Sequence, residues 1–575
     1  MGKGVLMMLK SSVNAFATRR WLVSAVLTAA LAVPSAAAWT AAPPPLPAGT
    51  DSGAQLNRAR EYMEQQRVAQ QIEEDQERQK AKVETEAQTP EQSAAQITFT
   101  LAKVETDASE ILTEAEIKSV TDSCIGKKVS LQDLYDMTAA INKLYEDKGY
   151  AICRAYLPPQ RIHEGVVQIK LLEGKTGNVI VNGLRHTRKG YVLNRIKLEP
   201  GKVANTDKLT DRLQRFNATN DVQLRILVHA GEKPGTTDYE IAAFEPKHNQ
   251  SVSLYADNNG YESSGRWREG VFYTVRSLTG QRDALRLNYL RSEGTNIVGA
   301  NYSMPVNEIG TMLDFDYGTN TTKIIKGNLK NVGVKGHSWA ASVTLRHPLR
   351  IDDKRRDEIG IQLLHQNSET DLGTNTDNYI KWVDDERNTL APYISFTHYG
   401  KTSVLYHKHT LSFTRYRNLY DNGDNYPAYR LDAMYQKRLS GGQMLSGRFN
   451  AQVASQSKVM SSSDLFYIGG ANSVRGYEES FLGGQQGFSA SLSYMVPLDK
   501  KRMFNAFAFF DYGRVFGNEQ TVIDNTLVST GVGVTASYKN FYANLTLGIP
   551  LKREFKSQAD KVSKTRIHFN CSLTF

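Results

Sequence analysis

Gly469-Gly470-Ala471-Asn472-Ser473-Val474-Arg475-Gly476-Tyr477, followed further along by Phe509-Phe510-Asp511-Tyr512-Gly513, decides how this chain is read. The first stretch is a glycine-rich loop with one arginine. The second is a strand with one carboxylate, and its alternate residues Phe509, Asp511 and Gly513 point to one side. Around both lies a long run of segments alternating apolar and polar residues, ending on Phe575. A loop arginine and an aspartate on the polar face of a strand are natural partners inside a β-barrel. The pairing predicts a loop folded back into a pore and held there. The other reading of Arg475 is an extracellular loop charge.

Working outward, period-two alternation begins near Ser251 and continues to the end. In the last strand Ile567, Phe569, Cys571, Leu573 and Phe575 face one way, and Arg566, His568, Asn570, Ser572 and Thr574 the other. Sixteen such strands are predicted, starting near 251, 266, 284, 296, 311, 337, 357, 388, 404, 427, 443, 488, 504, 528, 540 and 565. Short turns (305–308, 399–401, 440–443, 497–502) alternate with long loops (319–334, 367–386, 457–487, 551–564). An even number of antiparallel strands with unequal ends is the plan of an outer-membrane barrel. A soluble sandwich would not carry so many consecutive amphipathic strands behind an export signal.

That signal is legible at the N-terminus. Lys3, Lys10, Arg19 and Arg20 precede a short apolar run from Trp21 to Val33, and Ala36-Ala37-Ala38 supplies small residues for a cut. The run falls short of the roughly 20 residues a spanning helix needs. Residues 1–38 are therefore read as a signal peptide, and any membrane crossing must use strands. The mean hydropathy of −0.45 fits a barrel, because lipid-facing and lumen-facing residues cancel in an average. The net charge of +10 is assigned to lumen lining, loops and the leader. Nothing in the chain resembles a nucleic-acid module, so no such partner is expected.

The chain has three cysteines. Cys124 and Cys153 fall in one small predicted unit in an oxidising compartment and form a candidate disulfide, although spacing alone does not bring their Cα atoms into range. Cys571 reads as a small hydrophobe. Cys and His do not converge at ligand spacing, so no metal or cofactor is expected. Isolated histidines such as His347 and His407 read as lumen or loop residues.

Residues 39–95 form an N-terminal segment. Within it 54–89 lacks Gly and Pro and is rich in Gln, Glu, Arg, Lys and Ala, which favours helix. Its apolar residues Leu56, Tyr62, Met63, Val68 and Ile72 make no wide stripe. A helix polar nearly all round is solvated or sits in a wet cavity. At about 45 Å it is long enough to thread a barrel. It reads as a pore plug or as a free spacer, followed by a linker at 89–93.

Residues 96–174 predict a compact α/β unit. A strand at 97–101 precedes helices near 114–122 and 130–148, the second carrying Leu131, Leu134, Met137, Ile141 and Leu144 on one face, and strands at 151–156 and 165–172 close it. Residues 175–248 repeat the plan with strands near 178–181, 222–228 and 237–243 and helices near 189–195 and 207–217.

At this point the chain resembles a two-partner-secretion transporter (TpsB), the family of hemolysin and filamentous hemagglutinin secretion/activation proteins, within the POTRA-barrel superfamily that includes BamA. Val474-Arg475-Gly476-Tyr477 is similar to the family's VRG(Y/F) loop motif, and Phe509, Asp511 and Gly513 to its F-x-D-x-G strand motif. Gly149-Tyr150, Leu157-Pro158-Pro159-Gln160 and Gly165 resemble the signature of the first POTRA domain, and Asp257-Asn258-Asn259-Gly260 a D-N-x-G on the first barrel strand. The resemblance implies a mainly β fold: a 16-stranded antiparallel transmembrane β-barrel over 249–575, preceded by POTRA domains at 96–174 and 175–248 and an N-terminal plug helix.

It also implies a function. The POTRA domains would recognise the N-terminal secretion domain of a large secreted exoprotein in the periplasm by adding a strand to a sheet edge. The barrel, sitting in outer-membrane lipid after insertion by the barrel-assembly machinery, would pass that partner outward. No G-x-x-x-x-G-K-[ST] loop and no Ser/His/Asp or paired-carboxylate arrangement stands out, so an ATP-independent conduit rather than an enzyme is expected. An assembly factor inserting outer-membrane barrels shares the motifs and is the alternative. A passive porin would have no use for POTRA units, and an adhesin would use its long loops without a secreted partner.

Overall fold

The computed structural model describes residues 49–80 and 98–575, apart from 328, 353, 374–378, 420–422, 456–457, 518–523 and 557–560. The expected leader over 1–38 and the linker at 89–93 lie outside the described residues. A single helix, α1 (Ser52–Lys80), comes first. Two small α/β units and a barrel follow.

The first unit holds strands β1 (Thr98–Thr100), β2 (Lys103–Thr106), β3 (Lys128–Ser130), β4 (Arg154–Tyr156) and β5 (Val166–Leu172) and helices α2 (Glu114–Thr121) and α3 (Leu131–Asp147). Each helix starts where a side chain can satisfy its first amides: Thr113 with Glu116 and Ser130 with Asp133 form capping boxes. α3 buries Leu134, Met137, Ile141 and Tyr145 at helical spacing against Val167 and Ile169 of β5, while Leu131 stays exposed. Two signature residues have local work here. Gln160 donates to the Gln168 carbonyl at 2.8 Å and accepts from its amide at 2.7 Å, continuing the pairing of β5 past the end of β4. The Gly149 carbonyl accepts from the backbone and hydroxyl of Thr206, joining this unit to the next.

The second unit repeats the arrangement with β6 (Lys175–Asn182), α4 (Lys189–Ile196), α5 (Thr206–Thr219), β7 (Gln223–Ala230) and β8 (Thr236–Phe244). Strand order is β2-β5-β4 in one sheet and β6-β8-β7 in the other, with the first pair parallel in both.

Cys124 and Cys153, the candidate disulfide, are both free thiols. They pack in the same apolar core as small hydrophobes, Cys153 fully buried and Cys124 half-buried beside Ser123. Burial, reinforced by the nearby Glu173 carboxylate, pushes the Cys153 thiol up to about 12. In the folded protein Cys153 should therefore resist maleimide at neutral pH, while Cys124 labels and urea makes both reactive. Equal native labelling of the two would contradict this packing.

The barrel strands are β9 (Gln250–Asp257), β10 (Arg268–Arg276), β11 (Ala284–Arg291), β12 (Thr295–Pro305), β13 (Met312–Lys323), β14 (Lys335–Ile351), β15 (Arg355–Gly373) and β16 (Tyr379–Tyr399). They continue as β17 (Ser403–Arg417), β18 (Asn425–Arg438) and β19 (Met444–Ala454), and after the inserted hairpin β20 (Phe466–Ile468) and β21 (Leu482–Gly484) as β22 (Gln486–Pro497), β23 (Phe504–Phe516), β24 (Thr526–Tyr538), β25 (Phe541–Pro550) and β26 (Arg566–Thr574). All neighbours run antiparallel, and β26 closes on β9 from Asn570 opposite Asp257 to Thr574 opposite Ser253. This makes a sixteen-stranded closed barrel. Closure leaves no unpaired edge, which a strand in lipid requires.

Exposed Leu254, Val271, Phe315, Leu492, Phe510 and Leu545 mark the outer wall, and buried polar residues alternate with them on the inner wall. Two expectations are corrected. The long loop at 367–386 is mostly the outer part of the β15–β16 hairpin, paired through Gly373 opposite Tyr379. Beyond the membrane both faces of a strand meet water, so the alternation that marks strands in lipid fades. His407 lies on the outer wall against Phe396, since its neighbour Lys408 reaches a glutamate of α1 inside.

Candidate functional site

The site is assembled inside the barrel from two inserts. One is the segment between β19 and β22. β20 and β21 pair as a short hairpin, and the turn between them carries Val474-Arg475-Gly476-Tyr477 against the inner wall. Arg475 donates to Asp511 three times: Nε to Oδ2 at 2.8 Å, Nη2 to Oδ1 at 2.7 Å, and the backbone amide to Oδ2 at 3.0 Å. Asp511 is fully buried on β23. Nη2 also reaches Ser491 Oγ at 2.9 Å and Ser493 Oγ at 3.2 Å on β22, and the guanidinium lies over the Phe509 ring at 3.5 Å. The guanidinium is thus bidentate to the carboxylate, stacked on a ring and bonded through Nη2 to two hydroxyls, which suits a largely buried arginine.

The flanking residues fix the turn. The Gly476 amide donates to His568 Nε2 at 2.9 Å, which requires that nitrogen to be unprotonated. The Tyr477 hydroxyl lies 2.8 Å from the carbonyls of both Val528 and Lys552, and its ring packs against Phe481 and Phe555. Val474 is fully buried with Ile468, Val515 and Leu527. Close approach of turn to wall demands glycine on the wall. A Cβ on Gly548 would sit 2.5 Å from the Gly476 amide nitrogen, and one on Gly513 would sit 2.8 Å from the Val474 side chain. The signature glycine of β23 is thus a clearance for the turn. Gly548→Val is expected to lift the turn off the wall and expose Arg475 to external trypsin on intact cells. Gly447→Ala, where a Cβ meets nothing nearer than 3.8 Å, should stay resistant.

Gly548, His568, Ser491 and Ser493 were not singled out from the sequence. Only the polar, inward side of the alternation marked them, a signal shared by every lumen residue.

The other insert is α1, which runs through the lumen. At its N-terminus the Ser52 carbonyl accepts from Asn320 and Ser338, both at 2.9 Å, and the Asp51 side chain caps the Ala54 amide at 2.8 Å and meets Ser462. Midway, Arg430 reaches Glu61 at 2.5 Å, Lys408 reaches Glu64 at 3.4 Å, and Tyr62 meets Tyr255 at 3.3 Å. Near its C-terminal end Asp75 accepts from Tyr399 at 2.6 Å and from Arg356. The helix is polar nearly all round, matching a largely polar wall, while Leu56 packs with Leu290, Ile297 and Ala340 and Ile72 with Val404. The two inserts also touch: Arg58 donates to the Tyr467 carbonyl at 2.7 Å and Asn57 to that of Ser463 at 2.6 Å. Beside the Arg475–Asp511 pair a cavity of about 240 Å³ remains, lined by Ser446, Arg448, Ser491, Asn544 and Thr546 among others.

Among the described residues no three His, Cys, Asp or Glu side chains group as metal ligands. No described helix is long and apolar enough to cross a membrane; the crossing is made by strands.

A closed sixteen-stranded barrel, POTRA-type units before it and a loop tucked into its lumen define an outer-membrane POTRA-barrel transporter with its POTRA units in the periplasm. The chain belongs to the haemolysin secretion/activation protein family ShlB/FhaC/HecB, whose profile matches residues 235–536, and a ShlB-type POTRA profile matches 99–174. It therefore acts in secretion of a partner exoprotein across the outer membrane. The heme/hemopexin transporter protein HuxB of Haemophilus influenzae strain 86-028NP is 26% identical over 484 residues, covering 79% of this chain and 83% of that protein. CdiB from Escherichia coli superposes with a TM-score of 0.64 at 18% identity, over 90% of this chain and 98% of that one. BamA from Haemophilus ducreyi lacking POTRA domains 1–3 superposes with a TM-score of 0.50 at 14% identity, over 83% and 100%. The last two are likenesses of fold.

Proposed function

We propose that this protein works as a gated, ATP-independent conduit, not an enzyme, in which Val474-Arg475-Gly476-Tyr477 clasped to Phe509, Asp511 and Gly513 sets the inner shape of the pore and α1 closes it. The observation that carries this reading is the three-bond contact between Arg475 and Asp511, which joins a loop to the wall inside a barrel. The partner is recognised at the POTRA units, taken as 96–174 and 175–248. Edge strands such as β7, with Leu227 and Val228 exposed, can accept an extended segment of the exoprotein. Work comes from the partner folding outside, which biases its motion outward. The surrounding lipid holds the barrel, which reaches its place through the barrel-assembly machinery.

The HuxB likeness makes a heme- or hemopexin-binding exoprotein the first cargo to test. The test is co-expression with a candidate large exoprotein, sought first in the reading frames adjacent to this gene. Export should need residues 96–174, and their removal should leave the partner in the periplasm with the barrel inserted. Loss of many outer-membrane proteins on deletion of the gene, with the partner still exported, would move the assignment to an assembly factor.

A further inference from the structure

The end of α1 nearest the second POTRA unit shares its anchors with that unit. Arg356 on β15 donates from Nη1 to both carboxylate oxygens of Asp75 on α1, at 3.2 and 3.3 Å, and to the carbonyl of Ala218, in the last turn of α5, at 3.3 Å. The last carbonyls of a helix lack helical donors and carry its partial negative charge, so a guanidinium is well placed there. Arg276 on β10 repeats the pattern more loosely. Nη1 reaches Asp221, just beyond α5, at 3.2 Å, and Nη2 reaches Glu74 on α1 at 3.5 Å.

Asp221 is itself clamped by Arg282, a side chain only 3% exposed, through Nε at 2.7 Å and through Nη2. Around this corner the unit is seated on the barrel's periplasmic turns. The Arg188 amide donates to the Gly280 carbonyl at 2.9 Å, Ser277 Oγ to His186 O at 2.8 Å, and Arg195 Nη2 to Asn307 O at 2.9 Å. Thr219 lies so close to the β12–β13 turn that a Cβ on Gly310 would meet its methyl at 2.7 Å.

We infer that Arg356 and Arg276 couple the second POTRA unit to the plug: with α5 seated, its carbonyl and Asp221 hold both guanidinia toward Asp75 and Glu74, and displacement of α5 by a docked partner frees α1. This rests on the plug role proposed above. The two arginines are wall residues, so each has one fixed end and two mobile clients. A client that leaves removes half of the geometry that orients the cation for the other. Coupling between two sites requires such an element whose state both sites bias. It also gives the plug a reason to stay closed until cargo arrives.

The experiment is single-channel recording of full-length protein in planar bilayers, with barrel folding checked by heat-modifiable gel mobility. Asp221→Asn and Asp75→Asn should each raise the frequency of large openings at least ~5-fold. Because both act on one assembly, the double variant should fall well below the product of the two effects. Thr219→Trp, which wedges α5 off the barrel without changing charge, should open the pore as Asp221→Asn does, and it serves if the latter does not insert. Deletion of 52–80 is run alongside. If that deletion enlarges the current but Asp221→Asn and Thr219→Trp leave openings at the wild-type level, the coupling is wrong and the plug stands. Multiplicative effects in the double variant would also overturn it. If the deletion leaves the current unchanged, the plug reading and the coupling fall together.

Discussion

Arg475→Ala is expected to abolish most secretion of the partner while the barrel still inserts at its normal level. Asp511 is fully buried, and the substitution leaves its carboxylate with the Arg475 backbone amide as the one donor that remains of the three. Removing one member of a buried ion pair costs about 3–5 kcal/mol. That corresponds to roughly 100-fold to several thousand-fold in the population of the seated turn. The adjoining cavity and the 14% exposure of the Arg475 side chain allow water to soften the loss, so the lower end applies. Asp511→Asn should give a similar phenotype. The exchanged pair Arg475→Asp with Asp511→Arg should not restore secretion, because an arginine at 511 cannot accept from the amide of residue 475. The measurement is partner in the medium relative to heat-modifiable barrel in the membrane. Full secretion by Arg475→Ala at normal barrel level would remove the clasp from the mechanism.

Deleting residues 52–80 is expected to give the largest change in conductance. Barrels of sixteen strands enclose an aqueous channel unless something fills it. Here α1 occupies the lumen from the hydroxyls around Ser52 to Arg356 and Tyr399, and its midsection is tied by Arg430 and Lys408. Removal should turn small, noisy currents into stable openings several-fold larger, judged against barrels of this size. It should also admit osmolytes that the intact protein excludes in liposome swelling. The deletion leaves Arg430, Lys408 and Arg356 without their acidic partners on α1, so the opened pore should favour anions. An unchanged current would mean that α1 is not the barrier, and would leave the family assignment untouched.

Much of this was legible in the chain because its signals are local. A strand in lipid must alternate, and Ile567, Phe569, Cys571 and Leu573 against His568, Asn570 and Ser572 state that directly. The contact of Arg475 with Asp511 could be guessed because both are charged residues placed where the pattern allows only the lumen. The histidine facing the turn was harder to see. His568 sits on the polar face like many neighbours, and nothing in its surroundings along the chain distinguishes it. The helix shows the same limit. Its polar circumference was plain, but a helix without a stripe has no preferred partner, and its acids and bases are matched by strands hundreds of residues away.

Backbone periodicity and turn chemistry, written within a few residues, were enough for a barrel of sixteen strands and two repeated α/β units, and they offered the two motifs as candidate partners. Four features came from long-range packing instead: α1 lies in the lumen, Cys124 and Cys153 are free thiols, the outer hairpin after β15 remains paired, and Gly548 must be bare. Each of those depends on the distance between segments remote in sequence, and chain closure into a cylinder is what sets that distance.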